Sequence, residues 1–163
     1  MSRIATSCLL LFVIPGVAFA QSQQARSAAC NFQDGNQISV RYQSVPAGVG
    51  KLAEGKIWSP GNVPMFLFTS VPLKVENFEI PVGAYSLYLI PDKQQWTLVL
   101  NKNVAENGSY NEREDLLRAP MDIGTLSRPE ANVSLYFGHV APKQCNMRVY
   151  YGKTGSWIEF REK

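Results

Sequence analysis

The stretch EIPVGAYSLYLIPDKQQWTLVLNK, residues 79–102, contains two alternating apolar runs on either side of a Pro-Asp-Lys-Gln turn. Side chains that alternate along an extended strand point to opposite faces, so each run defines one apolar face. These faces carry Tyr85, Leu87 and Leu89 in the first run and Trp96, Leu98 and Leu100 in the second. The stretch therefore predicts a β-hairpin.

Further strand patterns lie on both sides of this hairpin. They cover Ile38 to Tyr42, Met65 to Thr69, Leu73 to Val75, Val133 to Val140, Asn146 to Tyr151 and Ser156 to Arg161. Two glycines in the segment 152–155 suggest a tight turn between the last two strands. Only the segment 111–118 has a helical pattern, of at most two turns. Strands at this spacing predict an all-β fold, an antiparallel β-sandwich of the jelly-roll or Ig-like type with about 8 or 9 strands.

The N-terminus has the three regions of a secretory signal peptide. Arg3 supplies the positive charge, an apolar run extends from Cys8 to Val17, and Ala18-Phe19-Ala20 forms a small-residue cleavage site. The apolar run is about half the ~20 residues that a membrane-spanning helix needs. We therefore expect a signal peptide over residues 1–20, a flexible lead-in over 21–35, and a single domain over 36–163 of a periplasmic or secreted protein, with no membrane span after cleavage.

Charge and cysteine content narrow the functional classes. Cleavage would remove one of the 16 basic residues and none of the 13 acidic ones, which leaves a net charge of +2. Charges of both signs are scattered, so we expect neither nucleic-acid binding nor a basic membrane patch. Cys30 and Cys145 would be the only cysteines left, and two thiols in an oxidising compartment favour a structural disulfide. A redox or metal pair would need a closer spacing or a histidine cluster.

Five segments carry a resemblance to a known family. They follow one another as in a family of secreted bacterial proteins: Gly55-Lys-Ile-Trp58, Ile80-Pro-Val-Gly-Ala-Tyr-Ser-Leu87, Ile90-Pro91, Trp96-Thr-Leu-Val-Leu-Asn-Lys102 and Glu114-Asp-Leu-Leu-Arg118. The chain resembles that family, catalogued as a domain of unknown function (DUF2911), from about Ile38 to Phe160. The resemblance implies an exported β-sandwich-like domain and brings no reaction or catalytic residue with it.

One segment departs from the family pattern. The family tends to show an arginine after the tryptophan and then a Gly-Ala-Asn-Glu run. This chain has Ser59-Pro-Gly-Asn-Val-Pro64 instead and lacks both the arginine and the glutamate. If this loop binds a charged ligand in relatives, we do not expect the same binding in this chain.

Histidine chemistry depends on one residue, because His139 is the only histidine of the chain. It lies in a predicted strand, and no Gly-x-Ser-x-Gly nucleophile motif accompanies it, so a structural role is favoured over catalysis. One histidine and two paired cysteines provide too few ligands for a transition metal. We expect no metal and no cofactor.

Carboxylates are the other catalytic candidates. Glu112, Glu114 and Asp115 are clustered, and paired carboxylates hydrolyse glycosides when the fold sets them at the right separation. The sequence does not give that separation. A solvated acidic segment in which Glu114 or Asp115 pairs with a neighbouring arginine is the favoured interpretation.

The loop from Pro46 to Pro64 is the main candidate for binding. It is rich in glycine, lacks periodicity and contains Trp58, and long irregular loops in compact β domains are either functional or cover an open sheet end. We single out Trp58, Asn62 and Lys56 as ligand-binding residues. The leading hypothesis is a non-catalytic cell-envelope protein that binds a small ligand or an envelope protein. The alternatives are a carboxylate-dependent hydrolase and a structural subunit of an envelope assembly.

Overall fold

A computed structural model describes residues 24–48, 52–107 and 109–163. The expected signal peptide, residues 1–20, lies outside these described residues, and so do residues 49–51 of the candidate loop. Nine strands account for most of the described chain: β1 Gln24–Asn31, β2 Gln37–Ser44, β3 Met65–Thr69, β4 Leu73–Val75, β5 Phe78–Ile80, β6 Gly83–Ile90, β7 Trp96–Asn101, β8 Asp115–Ala141 and β9 Gln144–Glu162. Two 3-10 turns, Pro60–Asn62 and Glu112–Glu114, complete the described secondary structure.

The strands form one antiparallel sheet in the order β1-β2-β3-β6-β7-β8-β9-β4-β5. The first part of β8 pairs with β7 and the rest pairs with β9, so this 27-residue strand belongs to both halves of the sheet. One apolar core contains residues from both halves, including Leu67 and Leu98 from the first half and Met147 and Phe160 from the second. The predicted all-β antiparallel fold is confirmed.

The predicted hairpin is strands β6 and β7. Leu87 pairs with Leu100 and Leu89 with Leu98, and these four side chains are fully buried. Trp96 is 2% exposed. The alternation of apolar residues therefore identified the core-facing side of the hairpin correctly.

Residues 24–31, which we expected within a flexible lead-in, form strand β1. This strand pairs with β2 along its whole length, from Gln24 opposite Ser44 to Asn31 opposite Gln37. An edge strand needs only backbone hydrogen bonds on one side, so its polar composition is compatible with pairing.

The expected turn at residues 152–155 is wrong, because β9 continues through this segment. Gly152 has a φ of 57° and pairs with Glu130 of β8, and Gly155 pairs with Gly124. The pairing of β8 with β9 shifts register on either side of Glu130. The positive φ thus accommodates a bulge within a long strand, and the chain reverses direction between Ala141 and Gln144 instead.

The predicted disulfide between Cys30 and Cys145 is present, with a Cα to Cα distance of 6.3 Å. It links β1 at one end of the sheet to the β8–β9 hairpin. The two cysteines are 115 residues apart, and closing a loop of that length stabilises the folded state by about 4 to 5 kcal/mol on a chain-entropy treatment.

Candidate functional site

A cleft of about 480 Å³ opens between two loops on the outer side of the β6–β7 hairpin, and we call it the aromatic cleft. The segment 57–64 forms one wall, residues 106, 107, 109 and 110 contribute to the other, and Tyr88 of β6 lies between them. The residues lining it are Ile57, Trp58, Ser59, Asn62, Val63, Pro64, Tyr88, Glu106, Asn107, Ser109 and Tyr110.

The first wall is held to the sheet through Trp58. Its backbone N–H donates to the Leu89 carbonyl at 2.7 Å, and its own carbonyl accepts from the Leu89 N–H at 2.9 Å. The half-buried indole packs edge-on against Trp96, with ring centroids 6.3 Å apart, and against Tyr151 at 5.8 Å. Trp58 therefore packs against the core and also lines the aromatic cleft.

The 3-10 turn after Trp58 places Asn62 at the cleft. Gly61 and Asn62 both have positive φ, 69° and 57°, which bends the chain sharply. Asparagine is among the few residues that adopt this left-handed conformation at low cost. The backbone N–H of Asn62 donates to the Ser59 carbonyl at 3.1 Å, so the turn is closed by its own hydrogen bonds.

The second wall is fixed by a hydrogen-bonded group that we call the Asp115 clasp: Asn101, Tyr110, Asp115 and Arg118. The Asp115 carboxylate accepts from Asn101 Nδ2 at 2.8 Å, from the Tyr110 hydroxyl at 2.7 Å and from Arg118 Nε at 2.8 Å. The same amide nitrogen of Asn101 also donates to the Asn111 carbonyl at 2.8 Å. The clasp closes the loop between β7 and β8 and thereby positions Tyr110.

Tyr110 contributes its ring to the cleft, because its hydroxyl is engaged in the clasp. The hydroxyl donates to Asp115 and accepts from Arg118 Nη2 at 2.6 Å. Burial of the phenol, together with the hydrogen bond to Asp115, raises the pKa of Tyr110 to about 12. The ring packs edge-on against Tyr88, with centroids 5.1 Å apart.

Two of the three binding residues predicted from the sequence line the aromatic cleft, and the third does not. Trp58 and Asn62 line the aromatic cleft. Lys56 is exposed in the preceding turn and is not among the lining residues. The charged residue that does line the cleft is Glu106, whose carboxylate pairs with Arg41 at 2.6 Å.

The candidate catalytic residues lie elsewhere. His139 is exposed near the end of β8, opposite Cys145. Glu112 forms an exposed ion pair with Arg118 at 2.9 Å, and the Asp115 carboxylate is occupied by the clasp. Neither these residues nor Glu114 line the aromatic cleft.

No group of three or more His, Cys, Asp or Glu side chains within the described ranges is arranged to hold a metal ion. No helix in the described part of the chain is long and apolar enough to cross a membrane.

Sequence reasoning missed Tyr88, Glu106 and Tyr110. Tyr88 lies on the hairpin face opposite the core but is only 6% exposed, because the cleft loops cover it. A large aromatic residue on the outer face of a strand was the signal that could have indicated a second covered face. Nothing local marks Glu106 or Tyr110 as partners of Trp58.

A family model described as "Protein of unknown function (DUF2911)" matches residues 23–160. No curated protein and no solved structure matches the chain significantly.

Proposed function

The chain belongs to the DUF2911 family, whose description names no function, and we propose that it is an exported, non-catalytic protein that binds a small polar ligand in the aromatic cleft. The observation that carries the proposal is the convergence of Trp58, Tyr88 and Tyr110 on one cleft with Asn62 and Glu106. Ligand sites in proteins are concave and combine apolar or aromatic walls with a few polar groups. This lining has that composition.

The aromatic walls favour a ligand with a ring or another flat apolar part. Aromatic rings attract C–H groups and ring edges through the negative charge on their faces. Asn62 offers an amide that both donates and accepts hydrogen bonds, and Ser59 and Ser109 offer hydroxyls. Glu106 is already neutralised by Arg41, which favours a neutral ligand over a cation.

The non-catalytic part of the proposal rests on how the titratable groups are used. General acid-base chemistry needs a group of suitable pKa within reach of the reacting atom. The Tyr110 hydroxyl stays protonated and donates to Asp115, and Glu106 is paired with an arginine. The hydrolase alternative would have to use Asp115 with Glu112 or Glu114, none of which lines this cleft.

Export is supported by the signal-like N-terminus and by the disulfide, since disulfides persist in oxidising compartments. The test is the mass of the protein recovered from the periplasm of an expressing bacterium. Export with cleavage after Ala20 gives a chain that begins at Gln21. An uncut chain retained in the cytoplasm would contradict this part of the proposal.

The binding test uses the Asn62→Gly variant. Glycine tolerates the positive φ of this position, so the change removes the side chain without straining the backbone. Thermal unfolding is followed with panels of monosaccharides, nucleosides and amino acids. The proposal expects one compound to raise the unfolding temperature of the unaltered protein, and a smaller increase in the variant.

The matched control is Asn77→Gly, in the exposed turn between β4 and β5. It makes the same chemical change at a residue that does not line the aromatic cleft and is expected to respond to the compound like the unaltered protein. A second variant, Trp58→Ala, tests the aromatic wall. Equal responses of all variants would show that the compound binds outside the aromatic cleft.

A further inference from the structure

The outer face of the β8–β9 hairpin carries two aromatic rings that rest on glycines. Gly124 and Gly155 are directly opposite each other in the sheet. A β-carbon at Gly124 would lie 2.9 Å from the Trp157 ring, and one at Gly155 would lie 3.3 Å from the Tyr150 ring. Each ring therefore occupies the space above a residue that has no side chain.

The register shifts between β8 and β9 on either side of the Glu130–Gly152 pair are the reason why these two rings share a face. Before Gly152, odd-numbered residues such as Met147 and Val149 face the core, and after it even-numbered residues such as Ile158 and Phe160 do. Between the pairs Thr125–Thr154 and Ser134–Tyr150, β8 contains eight residues and β9 contains three, and an odd difference reverses the alternation of one strand relative to the other. Tyr150 and Trp157 consequently both lie on the side away from the core, and each is partly exposed.

A cleft of about 440 Å³ lies on this face and is separate from the aromatic cleft. Its lining includes Trp157, Tyr150, Asn146, Arg148 and Glu159. A second cleft of about 320 Å³ adjoins it, since both clefts are lined by Arg148 and Tyr150. Together they form a continuous surface that we call the hairpin groove.

The polar groups of the hairpin groove are oriented by hydrogen bonds to their neighbours. Arg148 Nε donates to Asn146 Oδ1 at 2.8 Å, and Glu159 Oε2 accepts from Gln144. Within the described ranges, no residue pairs with the Nη groups of Arg148. The guanidinium is exposed at the junction of the two clefts.

We propose that the hairpin groove binds an oligosaccharide of β-linked, uncharged pyranose rings. Such rings have a C–H face, which packs against the negative face of an aromatic ring, and hydroxyls at the rim, which suit planar groups such as guanidinium, amide and carboxylate. Because the two clefts adjoin, a ligand that fills both must contain more than one sugar ring. Glu159 lines the first cleft and Glu130 the second, and the negative charge of these carboxylates favours a neutral glycan over an anionic one.

The test is calorimetric titration of the full exported protein with cellohexaose, chitohexaose and laminarihexaose. The proposal expects saturable binding of at least one of the three. Arg148→Ala, an exposed change that leaves the core intact, is expected to weaken the affinity about tenfold, the equivalent of one lost charge-assisted hydrogen bond. Trp157→Ala is expected to weaken it at least as much, because it removes a stacking surface.

Two controls decide between outcomes. Arg161→Ala removes an exposed arginine from the same strand outside the hairpin groove and is expected to leave the affinity unchanged. Asn62→Gly alters the aromatic cleft and is also expected to bind the glycan normally, so this proposal does not depend on the first one. Absence of binding to all three glycans, or full affinity in Arg148→Ala, would overturn it. Loss of glycan binding in Asn62→Gly would show that the glycan binds in the aromatic cleft, and this too would overturn the proposal.

Discussion

Replacing Asp115 with alanine tests whether this carboxylate is structural. The change removes the acceptor of three hydrogen bonds, from Asn101, Tyr110 and Arg118. Asn101 is 1% exposed, so the amide hydrogen that loses its partner stays buried, at a cost of about 1 to 3 kcal/mol. Arg118 is more exposed and keeps its ion pair with Glu112, so its share is about 0 to 1 kcal/mol.

The expected loss for Asp115→Ala is about 1 to 4 kcal/mol of unfolding free energy, dominated by the Asn101 amide. The measurement is urea unfolding followed by tryptophan fluorescence, since Trp96 is in the core. Asp115→Asn keeps one acceptor oxygen and is expected to lose less. Glu112→Ala is the matched control, because its side chain is 74% exposed and makes one surface ion pair.

Glu112→Ala is expected to change the unfolding free energy by less than about 1 kcal/mol. Equal losses in Asp115→Ala and Glu112→Ala would refute the structural role of the clasp. A fully stable Asp115→Ala protein would do the same and would return Asp115 to the list of catalytic candidates. The comparison thus separates a structural carboxylate from a functional one without requiring a substrate.

Three further predictions concern other parts of the fold. Replacing both Cys30 and Cys145 with serine is expected to lower the unfolding free energy by about 4 to 5 kcal/mol, measured by urea unfolding without reductant; an unchanged midpoint would contradict it. Spectrophotometric titration is expected to show the tyrosinate of Tyr110 appearing near pH 12, identified as the component missing in Tyr110→Phe. Because this pKa is raised above 10, the stability that Tyr110 contributes is full below pH 10 and is lost as the pH rises through 12; titration near 10 would show that the clasp is absent in solution. Gly124→Ala would place a β-carbon 2.9 Å from Trp157 and is expected to displace the ring, which red-shifts the tryptophan emission and lowers stability by about 1 to 3 kcal/mol.

The parts of the fold that sequence predicted are those where one side of a strand is buried. Leu87, Leu89, Leu98 and Leu100 alternate strictly with other residues, and burial on one face imposes that alternation. β1 escaped detection because an edge strand is held by backbone pairing and by one disulfide, neither of which needs an apolar pattern. The sequence wrongly predicted a turn within β9, because a glycine with positive φ occurs in β-bulges as well as in turns.

Only some of the residues that line the aromatic cleft could be predicted from the sequence. Trp58 and Asn62 stand out in a glycine-rich loop, and that composition is visible in the sequence. Tyr110 joins them through the clasp, in which Asn101 and Asp115 are 14 residues apart. A contact that depends on one hydrogen bond across a loop leaves no periodic pattern, so only the three-dimensional structure shows which residues face Trp58.

The family-like segments and the family departures have different locations in this structure. Asn101 and Asp115, which belong to two of the family-like segments, hold the clasp together. The departure begins at Ser59 and ends at Pro64, and both of these residues line the aromatic cleft. The family-like segments therefore supply the clasp and Trp58, whereas the departing segment supplies the rest of the lining that follows Trp58. The segment from Ser59 to Pro64 contains no charged residue, and Glu106 is paired with Arg41, so this lining suits a neutral ligand. The screening panel for the aromatic cleft should accordingly begin with neutral compounds.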